Sequence, residues 1–414
     1  MIPLYIEEQL YKKNMLLSTY ICSVKVFIVV NNNMPDNLNR NITAMYGSVI
    51  DTIHIKKPIL YHCLIRQKDY DALDYNPHDG TTYVPEFDFT DIWTKQEIRQ
   101  VVFSKGAVII DFSGENYHDN LDVCKGVVNA LGELGIPGNQ VVYLSGKHNE
   151  ASIRNTPAYV LHLPVFDYYM RKKYNESVNR LEFLQTNKQE KLFVCPMRRL
   201  HSLKIFRTKM LLEMHNADCI KYGMISHMSM PDSYRHFFTE SECNTLDEIL
   251  PLWIDYNMDA THGSEISHDP YKGKGYLAPY SDMIANTYFH ATVETWIDQF
   301  FITEKTYRPM YHKMPVLILG GAGSNTKIKE YGYKTYEDWF DLSWDNEPDD
   351  DKRIKYYVNE VQRVCKLLEN MSVAERISWS TKNMNVLEHN FNNMKQSQYL
   401  ENQFAKLAEH INQL

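Results

Sequence analysis

Residues 285–321 read ANTYFHATVETWIDQFFITEKTYRPMYHKMPVLILGG, and this stretch decides the fold. Residues 285–293 alternate and are rich in β-branched and aromatic side chains, which predicts a strand. Residues 300–302 run apolar into Thr303-Glu304-Lys305, which opens a helical pattern carrying Tyr307, Met310 and Tyr311 on one side. Residues 314–319 form a second buried strand that ends in a glycine turn. Strand, helix and strand in this order make a βαβ unit. In such a unit Thr303 can cap the helix, Glu304 can accept hydrogen bonds from ribose hydroxyls, and Lys305 can meet a diphosphate at the helix N-terminus. By itself the tripeptide also reads as an ordinary capping signal with a surface charge pair.

Working outward, 414 residues are long for one core and natural for two α/β domains. In the first half, residues 24–30, 59–64, 107–112, 141–145 and 159–163 read as strands, and 94–102, 119–134 and 168–184 as helices. The polar run Lys188-Gln189-Glu190-Lys191 precedes a new buried strand at 192–195, and the domain break is placed there. Helices follow at 203–214 and 246–254, and three more at 351–370, 373–393 and 396–414. The expected domains are 1–187, 188–375 and a helical tail, 376–414.

Glu294, then Phe301-Ile302-Thr303-Glu304-Lys305, Pro315-Val316 and Gly320 resemble the donor-binding motif of α1,3-fucosyltransferase-like and exostosin-like GT-B glycosyltransferases. The continuation, with Tyr331-Gly332-Tyr333-Lys334-Thr335-Tyr336, Asp341, Asp345 and Arg353, resembles short glycosyltransferase-like proteins of viruses, phages and bacteria. The resemblance spans about residues 285–354. It implies an α/β fold of two Rossmann-like domains facing a cleft, with C-terminal helices of which the last crosses back to the first domain. It also implies transfer of a sugar from a nucleotide-sugar donor, without a metal or other cofactor and with inversion. The acceptor would be a glycan, a lipid or a modified nucleic acid.

With ligands expected at the carboxyl ends of the strands, the run after 192–195 supplies Arg198, Arg199, Lys204 and Arg207, cations suited to a leaving diphosphate. A solvated basic helix start is the plainer reading of the same residues. In the resembled short proteins this loop often holds an Asn and ends in His-Arg; here Pro196 and Lys204 stand near those places. In the first half, Val108-Ile109-Ile110-Asp111-Phe112-Ser113-Gly114-Glu115 runs from a strand into a turn, and Glu115 is the candidate general base, ahead of Asp111 and Asp119. The expected donor-side set is therefore Arg198, Arg199, Lys204, Arg207, Glu294, Thr303, Glu304, Lys305 and Gly320.

The net charge of −8 argues against duplex DNA as the main partner. Seven cysteines without CxxC spacing indicate neither a zinc site nor a disulfide framework, so a reducing, cytoplasmic setting is expected. The apolar run 15–30 is interrupted by Lys25 and too short to span a bilayer, and no later segment is long and apolar enough to do so. Gly320-Gly321-Ala322-Gly323 misses the dinucleotide-binding glycine spacing. Asp349-Asp350-Asp351 reads as a helix-start acid cluster rather than a metal motif. Two other readings stay open: a phage-type transferase acting on DNA bases, and a non-catalytic module that binds nucleotide or glycan.

Overall fold

The computed structural model of the chain describes residues 25–28, 59–63, 93–112, 121–146, 156–163, 180–186, 189, 191–200, 204–229, 235–250, 287–396 and 398–414. The chain divides into two compact units, Met1–Tyr168 with Gln398–Leu414, and Tyr169–Ser397.

The first unit is built on a five-stranded sheet of β1 (Lys25–Ile28), β2 (Ile59–Cys63), β3 (Ala107–Phe112), β4 (Val141–Ser145) and β5 (Tyr159–His162), in that spatial order. β1 runs antiparallel to β2, and the other pairs are parallel. β3 and β4 are continuous apolar runs because a parallel sheet is covered on both faces. Leu60, Val108, Ile110 and Tyr143 pack with Val101 of α1 (Lys95–Phe103) and Leu131 of α2 (Leu121–Glu133) in one core. Each such side chain contributes roughly 1.5–3 kcal/mol through burial. α1 begins at Thr94 because that residue and Glu97 form a reciprocal capping box.

The second unit opens with α3 (Arg180–Thr186), where a helix is expected over 168–184; residues 164–179 lie outside the described ones. Arg180 is buried and donates to the Thr287 carbonyl. That tie joins α3 to the second unit, so packing divides the chain at Tyr168/Tyr169, upstream of the polar run at 188–191.

Its sheet contains β6 (Phe193–Leu200), β7 (Gly223–Ser229), β8 (Phe289–Val293) and β9 (Val316–Leu319), all parallel, in the order β7-β6-β8-β9. α4 (Ile205–Asn216) links β6 to β7, and α5 (Glu240–Ile249) follows β7. α5 starts six residues ahead of the expected 246 because Thr239 and Glu242 form a capping box. α6 (Glu304–Tyr311) links β8 to β9. The short α7 (Ser324–Lys327), the long α8 (Asp350–Glu369), α9 (Val373–Ser380) and α10 (Met384–Gln396) follow.

Two further expectations are corrected here, and one strand is unanticipated. β6 continues to Leu200 where a loop is expected after Cys195, so Arg198 and Arg199 lie on a strand. Pro196 is tolerated because β8 pairs only with Phe193 and Val194 and the ladder to β7 is irregular between Pro196 and Arg199. β7 escapes the sequence reading because it carries mixed rather than continuous apolar residues, unlike β9 at the other edge, which is apolar and buried throughout. The helix expected over 373–393 is two helices: Asn383 accepts from the Val386 amide and donates to Asp338, restarting the turn.

The last helix, α11 (Tyr399–Gln413), belongs to the first unit and covers edge strand β5, with His410 stacked on Tyr159 at 3.9 Å between ring centroids. Among the described residues no helix is long and apolar enough to cross a membrane, and five free cysteines are buried.

Candidate functional site

β6 and β8 are neighbours, and beyond their carboxyl ends the chain departs to opposite edges of the sheet, through α4 to β7 and through α6 to β9. Such a switch point leaves a crevice between diverging loops, and open α/β sheets bind their ligands there. The segment quoted at the start lies on this edge.

Glu294 is the first residue beyond β8 and is fully buried. Its carboxylate accepts from the Thr303 amide (3.1 Å), the Thr303 hydroxyl (2.6 Å) and the Thr306 hydroxyl (2.6 Å). One carboxylate thus clamps the first turn of α6 to the end of β8. Burial pushes the Glu294 pKa up, against the pull of Lys305 and the threonine donors. Arg207 on α4, also buried, donates to the Glu294 carbonyl at 3.0 Å and ties the loop end to the neighbouring crossover.

Thr303 is the N-cap of α6, and its hydroxyl accepts from the Lys305 amide. The Lys305 ammonium lies 3.1 Å from the hydroxyls of Thr295 and Thr303 and 3.4 Å from the Glu304 carboxylate, with its side chain 11% exposed. The Glu304 side chain is 25% exposed. Burial works to raise its pKa, but Lys305 and Arg308 outweigh that and hold it well below the carboxylate range. The helix therefore presents a cation and an ionised carboxylate side by side at its N-terminus.

Beneath them runs a polar seam on the side of β8 that faces α6. Pro309 has no amide proton, so the Lys305 carbonyl four residues earlier loses its helical donor; Thr292 fills that place with its hydroxyl at 3.4 Å. The Thr292 hydroxyl also meets Nδ1 of the buried His290 at 2.8 Å.

The turn after β9 completes the edge. Arg353, buried on α8, donates from Nε to the Gly320 carbonyl (3.0 Å), from Nη1 to the Glu347 carbonyl, and from Nη2 to the carbonyl of Ile297 and the carboxylate of Asp350. Asp345 accepts from the amides of Asn325 and Thr326 and from both their side chains, at 2.8–3.0 Å. Gly321 is required because a Cβ there would stand 2.0 Å from the Gln299 backbone, and Gly323 because its φ is +84°. At Gly320 the same atom would crowd the Ser324 hydroxyl, at 2.7 Å, and otherwise make ordinary contacts with the Cβ atoms of Ser324 and Glu294.

A pocket of about 250 Å³ opens at the switch point, lined by Phe206 and Lys209 of α4, Trp296 and Asp298 after β8, and Asp350 and Asp351 of α8. Thr303, Glu304 and Lys305 are not among its lining residues. Lys209 pairs with Asp351 at 2.7 Å. The sequence reading missed Phe206, Lys209, Trp296 and Asp298; the signal that could have found them is their position just after the two strands that flank the switch point.

Of the expected residues, the structure brings together Glu294, Thr303, Glu304, Lys305, Arg207 and Gly320. Lys204 is the buried N-cap of α4. Arg198 and Arg199 are placed by their backbone near the end of β6, and Asp111 by its backbone near the end of β3 in the first unit. Glu115 and Asp119 lie outside the described residues. Asp349 caps α8 through the Lys352 amide, and no group of three or more metal-ligating side chains comes together among the described residues. Compared with protein-family models and with curated proteins, the chain matches none.

Proposed function

We propose that the chain is a glycosyltransferase of GT-B type, moving a sugar from a nucleotide-sugar donor to an acceptor hydroxyl without a metal and with inversion. The observation that carries this reading is the clamp at the switch point. Glu294 fixes the first turn of α6 to the end of β8, so that Glu304 and Lys305 are held preorganised at the strand-end edge. In this reading Lys305 meets the diphosphate and stabilises charge on the leaving group, Glu304 accepts from ribose hydroxyls, and the pocket between Phe206 and Trp296 seats the flat, apolar part of the donor. Arg207 and Arg353 act by positioning the loops, since both are buried against backbone carbonyls. Arg198, Arg199 and Lys204 come from the neighbouring strand and helix start. Glu115, ahead of Asp111, is the base on the acceptor hydroxyl, and the acceptor is a glycan, a lipid or a modified nucleic acid. Two α/β units and a C-terminal helix that returns to the first unit support the same assignment.

The test is a thermal-shift screen of the purified chain against GDP, UDP, ADP and CMP with and without EDTA, because a ligand that binds the folded state raises its stability. One nucleotide should give a selective, EDTA-resistant shift, and Lys305→Ala should abolish it while leaving the unliganded melting temperature within a few degrees. An unchanged shift in Lys305→Ala would refute the phosphate role. Nucleotide binding without donor turnover would identify a binding module instead.

A further inference from the structure

A second cavity, of about 650 Å³, lies between the segment 341–348 and one side of α8. Its volume is that of a small-ligand site. Tyr356, Asn359, Glu360 and Arg363 line it at intervals of three and four residues, which places them on one helix face. Asp341, Ser343, Trp344, Asn346 and Glu347 face them from the preceding segment.

The chemistry of the walls narrows the occupant. Arg363 is paired with the buried Glu360 at 2.5 Å, so the cation in the groove is already neutralised. Asp341 and Glu347 each accept a backbone amide, from Ser343 and Asp349, and Asp341 also interacts electrostatically with Arg363. The side-chain amides of Asn346 and Asn359 and the Tyr356 hydroxyl make no hydrogen bond among the described residues. Trp344 forms part of the wall, with its indole N–H shielded from solvent. Its ring is held edge-on to Tyr357 at 6.1 Å, while Tyr356 is 41% exposed.

An anion would meet the two carboxylates. A purely apolar ligand would strip water from the carboxylates and amides without pairing them, at a cost. A simple cation would satisfy the carboxylates but leave the amide donors without an acceptor. A ring-shaped polyol satisfies all of them, because each hydroxyl both donates and accepts and its C–H faces cover aromatic rings.

We propose that this groove binds a neutral oligosaccharide, at a site separate from the switch-point pocket. One end abuts the turn after β9, where the Asn346 side-chain oxygen lies 3.0 Å from the position a Cβ on Gly323 would take. A bound glycan would run from the strand-end edge along α8.

Saturation-transfer NMR on the full chain with maltotriose, cellotriose and chitotriose tests this. At least one sugar should show transfer to its ring C–H protons, and Tyr356→Ala and Asn359→Ala, both at exposed positions, should each weaken its binding at least tenfold with an unchanged melting temperature. Lys305→Ala should leave glycan binding intact, which separates this site from the donor reading; the groove stands even if no nucleotide binds. Absence of transfer from all three sugars, transfer that persists in both groove variants, or binding of spermidine in place of the sugars would overturn the proposal.

Discussion

Replacing Glu294 by alanine tests the clamp on which the donor-site reading rests. The carboxylate is the acceptor for three buried donors: the Thr303 amide and the hydroxyls of Thr303 and Thr306. A buried donor that loses its partner costs about 1–3 kcal/mol. The amide cannot re-aim, whereas the two hydroxyls can turn toward carbonyls, so the expected loss is about 3–6 kcal/mol, a large part of the ~5–15 kcal/mol that stabilises a domain. Glu294→Gln keeps the shape and one acceptor oxygen and should lose only about 1–2 kcal/mol. Urea unfolding followed by tryptophan fluorescence reads this directly, since Trp296, Trp339, Trp344 and Trp379 all lie in the second unit. The pair of variants also reports on charge. Burial raises the folded pKa of Glu294 above its ordinary 4.5, so between the two values the folded state holds more protons than the unfolded one. Stability contributed by this group therefore falls as pH rises through that interval, and the advantage of wild type over Glu294→Gln should shrink as pH climbs from about 4.5. A Glu294→Ala loss below about 1 kcal/mol would show that α6 is seated by something other than this carboxylate.

Gly321→Ala should destabilise the second unit by about 3 kcal/mol or more, because the new methyl group would overlap the Gln299 backbone rather than a movable side chain; urea midpoints measure it. Asp345→Ala removes the shared acceptor of Asn325 and Thr326 and should lose about 3–5 kcal/mol in the same assay. Burial, with Arg308 close to both, lowers the pKa values of His290 and His312 to about 3. A histidine depressed on folding binds fewer protons when folded, so stability is lost as pH falls from 6.5 toward about 3, and His290→Asn should flatten that slope in melting temperatures taken across the range.

The covered strands β3, β4 and β9 were legible because a buried parallel strand needs an unbroken apolar run, and helix starts such as Thr94 and Thr303 because capping is a short-range interaction. The strand, helix and strand around Thr303-Glu304-Lys305 followed from the same local rules. Tertiary structure alone decided what depends on neighbours distant in sequence. It placed β7 at an edge where no apolar run marks it, and it carried β6 through Pro196, which is possible only because β8 stops pairing there. It turned Arg207 inward onto a carbonyl 87 residues away and gave the Glu294 carboxylate its three donors. It also gathered Phe206, Trp296 and Asp350 into one pocket, since strand order, which local propensity does not encode, determines which loops diverge at the switch point.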